Sequence, residues 1–495
     1  MRAVRIPQSI KQMDSSESGF HFHLTPATTA DSLSAETKMK FKFIYKLLTL
    51  TALTVMFAAH VAAEGGGQED LRKQVLALQQ ELSRLKAQGS AADRLQELER
   101  RIDLLAAEIE KMRTGGAVEG EPREPVPGFA PGASKVYRTV RGTSIGGYGE
   151  ATYANFSGRR QDGAVSDQRD RLDLLRAVVY VGHKFSDTIL FNSEIEFEHA
   201  STGEGSEERG EVSIEQAYLD FKPWRNVGFR AGMVVAPLGF LNELHEPPIF
   251  NGARRNAVES LIIPSTWHEV GAGLFGDTGG VQWRVFALAG LASSGFTSEG
   301  IKEGRQQGSQ SVAEDMAVAG RLDLTEVPGL LAGVSFYTAN TGQGAAVDGR
   351  RIRGRFTLFD LHAQYEHRGL RLRALYVKSR LGDAALIDAQ NGLGGDESVG
   401  ERQYGGYLEA AYDVMTLRPA GPWSVVPFVR YERLNPQDRV PAGFAKDPSL
   451  DRRIWTAGIG VKPRADVVLK ADYQWSSDRA KTGTNQLNLA VGYLF

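Results

Sequence analysis

The chain has 495 residues, 42% of them hydrophobic, and 58 basic residues nearly balance 60 acidic ones for a formal charge of −2. That balance gives no electrostatic reason to expect nucleic acid as a partner. The lack of any cysteine excludes a disulfide framework, a thiolate metal site and a cysteine nucleophile, and it suits an oxidising compartment.

Residues 1–38 are polar and rich in Ser and Thr, and read as an extension upstream of a true start at Met39. Residues 39–63 then carry the three parts of a secretory signal peptide. Lys38, Lys40, Lys42 and Lys46 supply the charge, Leu47–Ala59 the apolar run, and Val61 and Ala63 the small-residue exit. The apolar run is shorter than the ~20 residues a spanning helix needs. Residues 68–114 hold two heptad runs, Leu71, Val75, Leu78, Leu82, Leu85 and then Leu95, Leu98, Ile102, Leu105, Ile109, Met112. Such stripes are buried by a partner helix, so this segment is expected to be a short periplasmic coiled coil. Self-association, contact with peptidoglycan and a helical hairpin are all open readings of it. Residues 115–140 are rich in Pro, Gly and Glu and read as a linker.

From about Arg141 to Phe495 the text alternates with period two. Ile189, Phe191, Ser193, Ile195 and Phe197 oppose Leu190, Asn192, Glu194, Glu196 and Glu198. Val467, Leu469, Ala471, Tyr473 and Trp475 oppose Val468, Lys470, Asp472 and Gln474. About sixteen such segments of roughly ten residues follow one another, the pattern of a transmembrane antiparallel β-barrel embedded in outer-membrane lipid. The fold class is therefore all-β. Tyr153, Phe156, Tyr218, Phe221, Tyr365, Tyr412, Tyr431 and Trp475 fall at segment ends, where interfacial girdles belong. The last segment ends on Tyr493 and Phe495, a form that resembles the signal read by the barrel assembly machinery. Pro223–Asn226 reads as a tight turn, and 201–210, 293–314, 381–402 and 435–452 as long loops on the other side.

One stretch breaks the alternation. After a strand ending near Val235 runs Ala236-Pro237-Leu238-Gly239-Phe240, continuing through Glu259 to Trp267 and His268. Signal, coiled coil, Pro-rich linker and a barrel with a Pro-Leu-Gly-Phe loop after its fifth strand together resemble the phosphate-selective porin superfamily. The resemblance implies a homotrimer of sixteen-stranded barrels, each with this loop folded inward as a constriction. Within the loop, Glu243, His245, Glu246, Arg254, Arg255 and Glu259 are the constriction candidates. Their opposed charges would set up a transverse field, or else form a salt-bridged scaffold.

Alternation assigns Arg230, Arg284, Arg321, Arg371, Arg373, Arg430 and Lys470 to the lumen, against Glu194, Glu196, Glu198, Asp220, Asp323, Asp360, Glu366, Glu409, Asp413 and Asp472. This mixed, acid-leaning set argues against strong anion selection, and so against carrying over the family's phosphate specificity. The expected function is passive diffusion of small hydrophilic solutes. A solute-specific channel for an oxyanion or iron chelate, and an envelope tether, are the alternatives. Gly271–Gly276 spells G-x-G-x-x-G, but inside an alternating segment rather than a βαβ unit. No enzyme motif emerges and no cofactor is expected. His245, Glu246, His268 and Glu269 match no compact metal spacing, so no metal site is expected either.

Overall fold

The computed structural model describes residues 129–495 except 140, 202–209, 225 and 418–421. The extension, signal peptide and coiled coil lie outside the described residues. Sixteen strands form a closed barrel: β1 (Gly142–Arg160), β2 (Arg171–Lys184), β3 (Ile189–Glu198), β4 (Val212–Phe221), β5 (Val227–Val235), β6 (His268–Thr278), β7 (Val281–Ala289), β8 (Met316–Leu324), β9 (Leu330–Ala339), β12 (Phe356–His367), β13 (Leu370–Leu381), β14 (Arg402–Tyr412), β15 (Ser424–Arg439), β16 (Arg452–Arg464), β17 (Val467–Asp478) and β18 (Thr484–Leu494). Two short strands, β10 (Ala346–Val347) and β11 (Arg350–Arg351), make a hairpin in one loop. All barrel neighbours are antiparallel, and β1 closes on β18 with Tyr148 opposite Leu494 and Phe156 opposite Gln486. Closure removes every sheet edge, which is what lets strands stand in lipid without orphaned backbone groups. Among the described residues no helix is long and apolar enough to cross a membrane.

The two ends differ. The β6–β7, β12–β13 and β16–β17 connections take two residues each, and the chain termini of the barrel lie on that same end. At the other end the inserted segment occupies 236–267 and another loop runs 290–315. The β4–β5 connection at Pro223 falls on the end with the short connections, whereas β15 continues to Arg439 and shortens the loop expected from Asn435.

The outer face carries an apolar band: Leu219, Phe229, Leu274, Val285, Leu322, Phe359, Leu361, Leu372, Val429, Leu469 and Leu489 are all well exposed. Such a belt has no reason to exist in water and a strong one in lipid. Tyr365, Tyr431 and Trp475 stand on it, Tyr431 against Trp455 with ring centres 4.8 Å apart. Two of the aromatics expected there point inward instead. Tyr218 is buried against Asn192, and Phe156 lines the internal cavity described below. Replacing Leu361 with Arg in the middle of this belt should cost about 2–4 kcal/mol. Denaturant unfolding from lipid vesicles reads the loss. Val312, equally exposed but in a loop, should tolerate the same change at little cost.

The lumen is not an open tube. Leu238, Phe240, Leu241, Val258, Ile262, Ile263 and Trp267 of the inserted segment pack against inward-facing Phe286, Leu288, Tyr337, Phe356, Leu358, Leu375, Val377, Tyr407 and Leu434. Part of the interior is thus a hydrophobic core. The strands there are apolar on both faces at the loop end, one toward lipid and one toward the loop. At the opposite end the last residues of the expected linker fold back inside. Phe129–Arg138, with the one-turn helix α1 (Lys135–Arg138), lies against β1, β2 and β3, and Ala130, Ala133 and Val136 are buried.

Candidate functional site: the inserted loop and the polar cavity

The inserted segment is held by its own carboxylate staple. Glu259 accepts from the Phe240 amide at 2.5 Å, the Leu241 amide at 2.7 Å, Asn256 Nδ2 at 3.2 Å and the Tyr407 hydroxyl at 2.7 Å. Gly239 sits at φ +62, and a Cβ there would stand 2.5 Å from Glu259 Oε2. Pro-Leu-Gly-Phe is therefore a turn that must be glycine twice over, for its φ and for the carboxylate beneath it. The Gly239 carbonyl accepts from Arg321, and its amide donates to Asp360 at 3.2 Å.

The other candidates separate into two groups. Glu243 forms a bidentate pair with Arg284 at 2.7 and 2.5 Å. Glu246 accepts from the amides of Gly132 and Ala133 at 3.1 and 3.0 Å, and so ties the N-terminal segment to the loop. His245 places Nδ1 2.9 Å from the Asn242 carbonyl and Nε2 3.0 Å from Glu194. Glu243, His245, Glu246 and Glu259 are almost wholly buried and act as scaffold. Only Arg254 and Arg255 reach open space.

That space is a polar cavity of about 720 Å³ between the loop and the wall of β1–β4 and β15–β18. Arg254, Arg255, Lys302 and Arg305 approach it from the loops, while Glu150, Glu196, Glu198, Glu211 and Glu215 line it from β1 and the β3–β4 region. Arg176 lies among these carboxylates and Arg452 also lines the cavity, so the lining mixes both signs of charge. Toward the chain-terminus end the cavity is bounded by the loop segment around Gly252. Lys470 donates to the Gly252 carbonyl at 2.8 Å, and the Ala253 amide donates to Asp472 at 2.6 Å. Beyond it a second, smaller cavity of about 300 Å³ is lined by Glu366, Arg371, Asp413 and Lys462.

The residues assigned to the lumen do face inward, but most are not free to meet a solute. Arg230 is paired with Asp220 at 2.7 Å, Arg284 with Asp323 at 3.2 Å as well as with Glu243, and Arg430 with Glu409 and Glu432 at 3.0 and 2.8 Å. Arg373 donates to Gln364 at 2.7 Å. Arg176, a cation absent from the expected set, pairs with Glu150 and Glu196 at 2.9 and 3.2 Å, and Glu198 stands 3.8 Å away. Glu194 faces the loop rather than water. Asp413 is displaced from its expected place: it follows β14 and accepts from the Met415 amide and from the Val425 amide at the start of β15. Glu366 and Arg371 pair at 2.5 Å near the terminus end, both still partly exposed. Tyr493 stands on the lipid face, and the Phe495 backbone exchanges two hydrogen bonds with Gly147. Gly271–Gly276 lies within β6, a strand with no helix after it.

Glu215 was missed by alternation, and the register explains why. Glu194 pairs with Gln216, but the next residue, Ile195, pairs with Ile214. The extra residue in β4 is Glu215, and the bulge turns it inward beside Gln216. Nothing in the local sequence distinguishes such a bulge from a regular strand.

No family model matches the chain. An uncharacterized protein of Aquifex aeolicus (strain VF5) is 34% identical over 383 residues, which span 76% of this chain and 85% of that protein. Similar solved structures include an anion-selective porin from Comamonas acidovorans, at 10% identity over 71% of this chain and 99% of that one with a TM-score of 0.43. They also include the outer-membrane channel DcaP of Acinetobacter baumannii, at 12% identity over 71% and 97% with a TM-score of 0.44. Pseudomonas putida OprB is similar at 11% identity over 72% and 94%, with a TM-score of 0.46.

Proposed function

This chain belongs to the same family as the Aquifex aeolicus protein, and we propose that it is an outer-membrane porin passing small hydrophilic solutes without energy input. The observation that carries the reading is the polar cavity inside a lipid-belted barrel, lined by Arg254, Arg255, Lys302 and Arg305 on the loops and by Glu150, Glu196, Glu198, Glu211 and Glu215 with Arg176 on the β1–β4 side. A lining of both signs of charge accommodates dipolar and zwitterionic solutes without selecting one sign of ion. Phosphate specificity is not part of the reading, because inward-facing Arg230, Arg284 and Arg430 are neutralised by carboxylates at 2.7–3.2 Å.

In the same reading the loop end faces outward and the chain termini face the periplasm. Residues 39–63 direct export, and 68–114 form a coiled coil through which three copies associate. The test is single-channel current in a planar bilayer under a salt gradient. The expected result is ohmic conductance with a reversal potential near zero and no block by phosphate. Absence of conductance overturns the proposal, and saturable phosphate block replaces it with a solute-specific channel.

A further inference from the structure

Glu194, Glu215 and His245 converge. One ligand-capable atom from each lies within 4.8 Å of the others, and all three residues are buried. His245 Nε2 is 3.0 Å from Glu194 Oε1 and 3.8 Å from Glu215 Oε2. A tetrahedral site with bonds of about 2.1 Å would set its ligand atoms about 3.4 Å apart, between those two values.

Two features favour an ion there. Glu215 is 1% exposed, and its Oε2 has no hydrogen-bond donor. A buried carboxylate oxygen in that state is costly unless a cation or proton meets it. The second feature is the histidine. Its Nδ1 lies 2.9 Å from the Asn242 carbonyl oxygen, which can only accept, so Nδ1 carries a proton. Nε2 then faces two carboxylates, 3.0 Å from Glu194 Oε1 and 3.8 Å from Glu215 Oε2, and a neutral ring presents its lone pair to an ion held there. A backbone carbonyl holding the far nitrogen is how proteins orient a metal-binding imidazole. Gln216 likewise orients Glu194 through Oε2 at 2.9 Å, leaving Oε1 for the shared point.

We propose that Glu194, Glu215 and His245 bind one divalent transition-metal ion, with Zn2+ as the ion their chemistry fits best. Two carboxylates and a neutral imidazole give a net charge that a divalent ion cancels, and the mixed nitrogen and oxygen set disfavours Mg2+ and Ca2+, which prefer all-oxygen shells. Glu215 also lines the polar cavity, which places the cluster directly behind the cavity wall and makes that space the route of entry for an ion. The site joins β3, the bulge of β4 and the inserted loop, so the ion fastens the loop to the wall. Three buried acceptors facing one point would otherwise loosen that same contact. The inference stands whether or not the barrel conducts.

The test is titration of the purified full chain, freed of metal by chelator, with Zn2+ alone, followed by calorimetry. The visible absorption of added Co2+ serves as a second readout. One saturable equivalent per chain is expected, weakened by more than about tenfold in Glu215→Gln and in His245→Gln. Glu198→Gln, which changes a cavity carboxylate outside the cluster, should bind as the parent does. Glu215→Gln removes no hydrogen bond from its Oε2, so folding of that variant is expected, and electrophoretic heat-modifiability verifies it. A parent chain that binds no ion saturably, or equal binding in both cluster variants, overturns the assignment.

Discussion

Replacing Glu259 with alanine should release the inserted loop and raise single-channel conductance several-fold, with large current fluctuations in place of a steady level. One carboxylate accepts four hydrogen bonds, from Phe240, Leu241, Asn256 and Tyr407. Bonds to a charged acceptor are worth about 1.5–3 kcal/mol each, and here their loss strands two buried amides and a buried phenol. The barrel wall itself is a separate, fully paired ladder, so the strands should persist and the loop should be what moves. Glu259→Gln keeps one acceptor oxygen for the two amides and should fall between parent and alanine variant. Bilayer recordings of the three proteins in the same salt decide the matter. A steady, unchanged conductance in the alanine variant would show that the apolar contacts of Phe240, Ile262 and Trp267 hold the loop unaided.

Reversing Arg254 and Arg255 to glutamate should turn a nearly unselective pore into a cation-selective one. Both side chains reach the polar cavity, and five carboxylates from the β1–β4 side already line it. Two charges changing by two units each, acting at about 8 Å in water, alter a passing ion's energy by about 2 kcal/mol before screening. The cation-to-anion permeability ratio should therefore rise about tenfold, read as a shifted reversal potential in a salt gradient. The effect should shrink at high salt. Neutralising Arg230 instead should leave selectivity alone and cost stability, because that guanidinium is paired with Asp220 and packed 4.0 Å from the Tyr218 ring centre. Equal selectivity in the reversed and parent proteins would place the ion path elsewhere.

The barrel was legible because its rule is local. Period-two alternation in Ile189–Glu198 or Val467–Trp475 states which residues meet lipid, and hydrocarbon enforces that statement on every strand. Repetition of the pattern supplies the strand number, and the alternation failing after Val235 marks the inserted loop. The candidate site was legible only in part. Arg254 and Arg255 line the polar cavity, but Glu243, Glu246 and Glu259 look identical to them in a sequence, being charged residues in a non-alternating loop. What separates them is whether a partner waits across the lumen: Arg284 for Glu243, the Gly132 and Ala133 amides for Glu246, and Tyr407 for Glu259 lie 41, 113 to 114 and 148 residues away.

The sequence by itself determined the all-β class, an approximate strand number, the faces of the regular strands and the place where the alternation stops, because each follows from contact with lipid or water along a single strand. Tertiary structure alone decided that part of the lumen is apolar core, that residues 129–138 fold back inside, that most inward bases are spent in ion pairs, and that a bulge brings Glu215 to Glu194 and His245. Those outcomes depend on which distant segments share the interior and on one extra residue in one strand's register. A bulge reverses every facing after it without changing the composition that sequence reasoning reads.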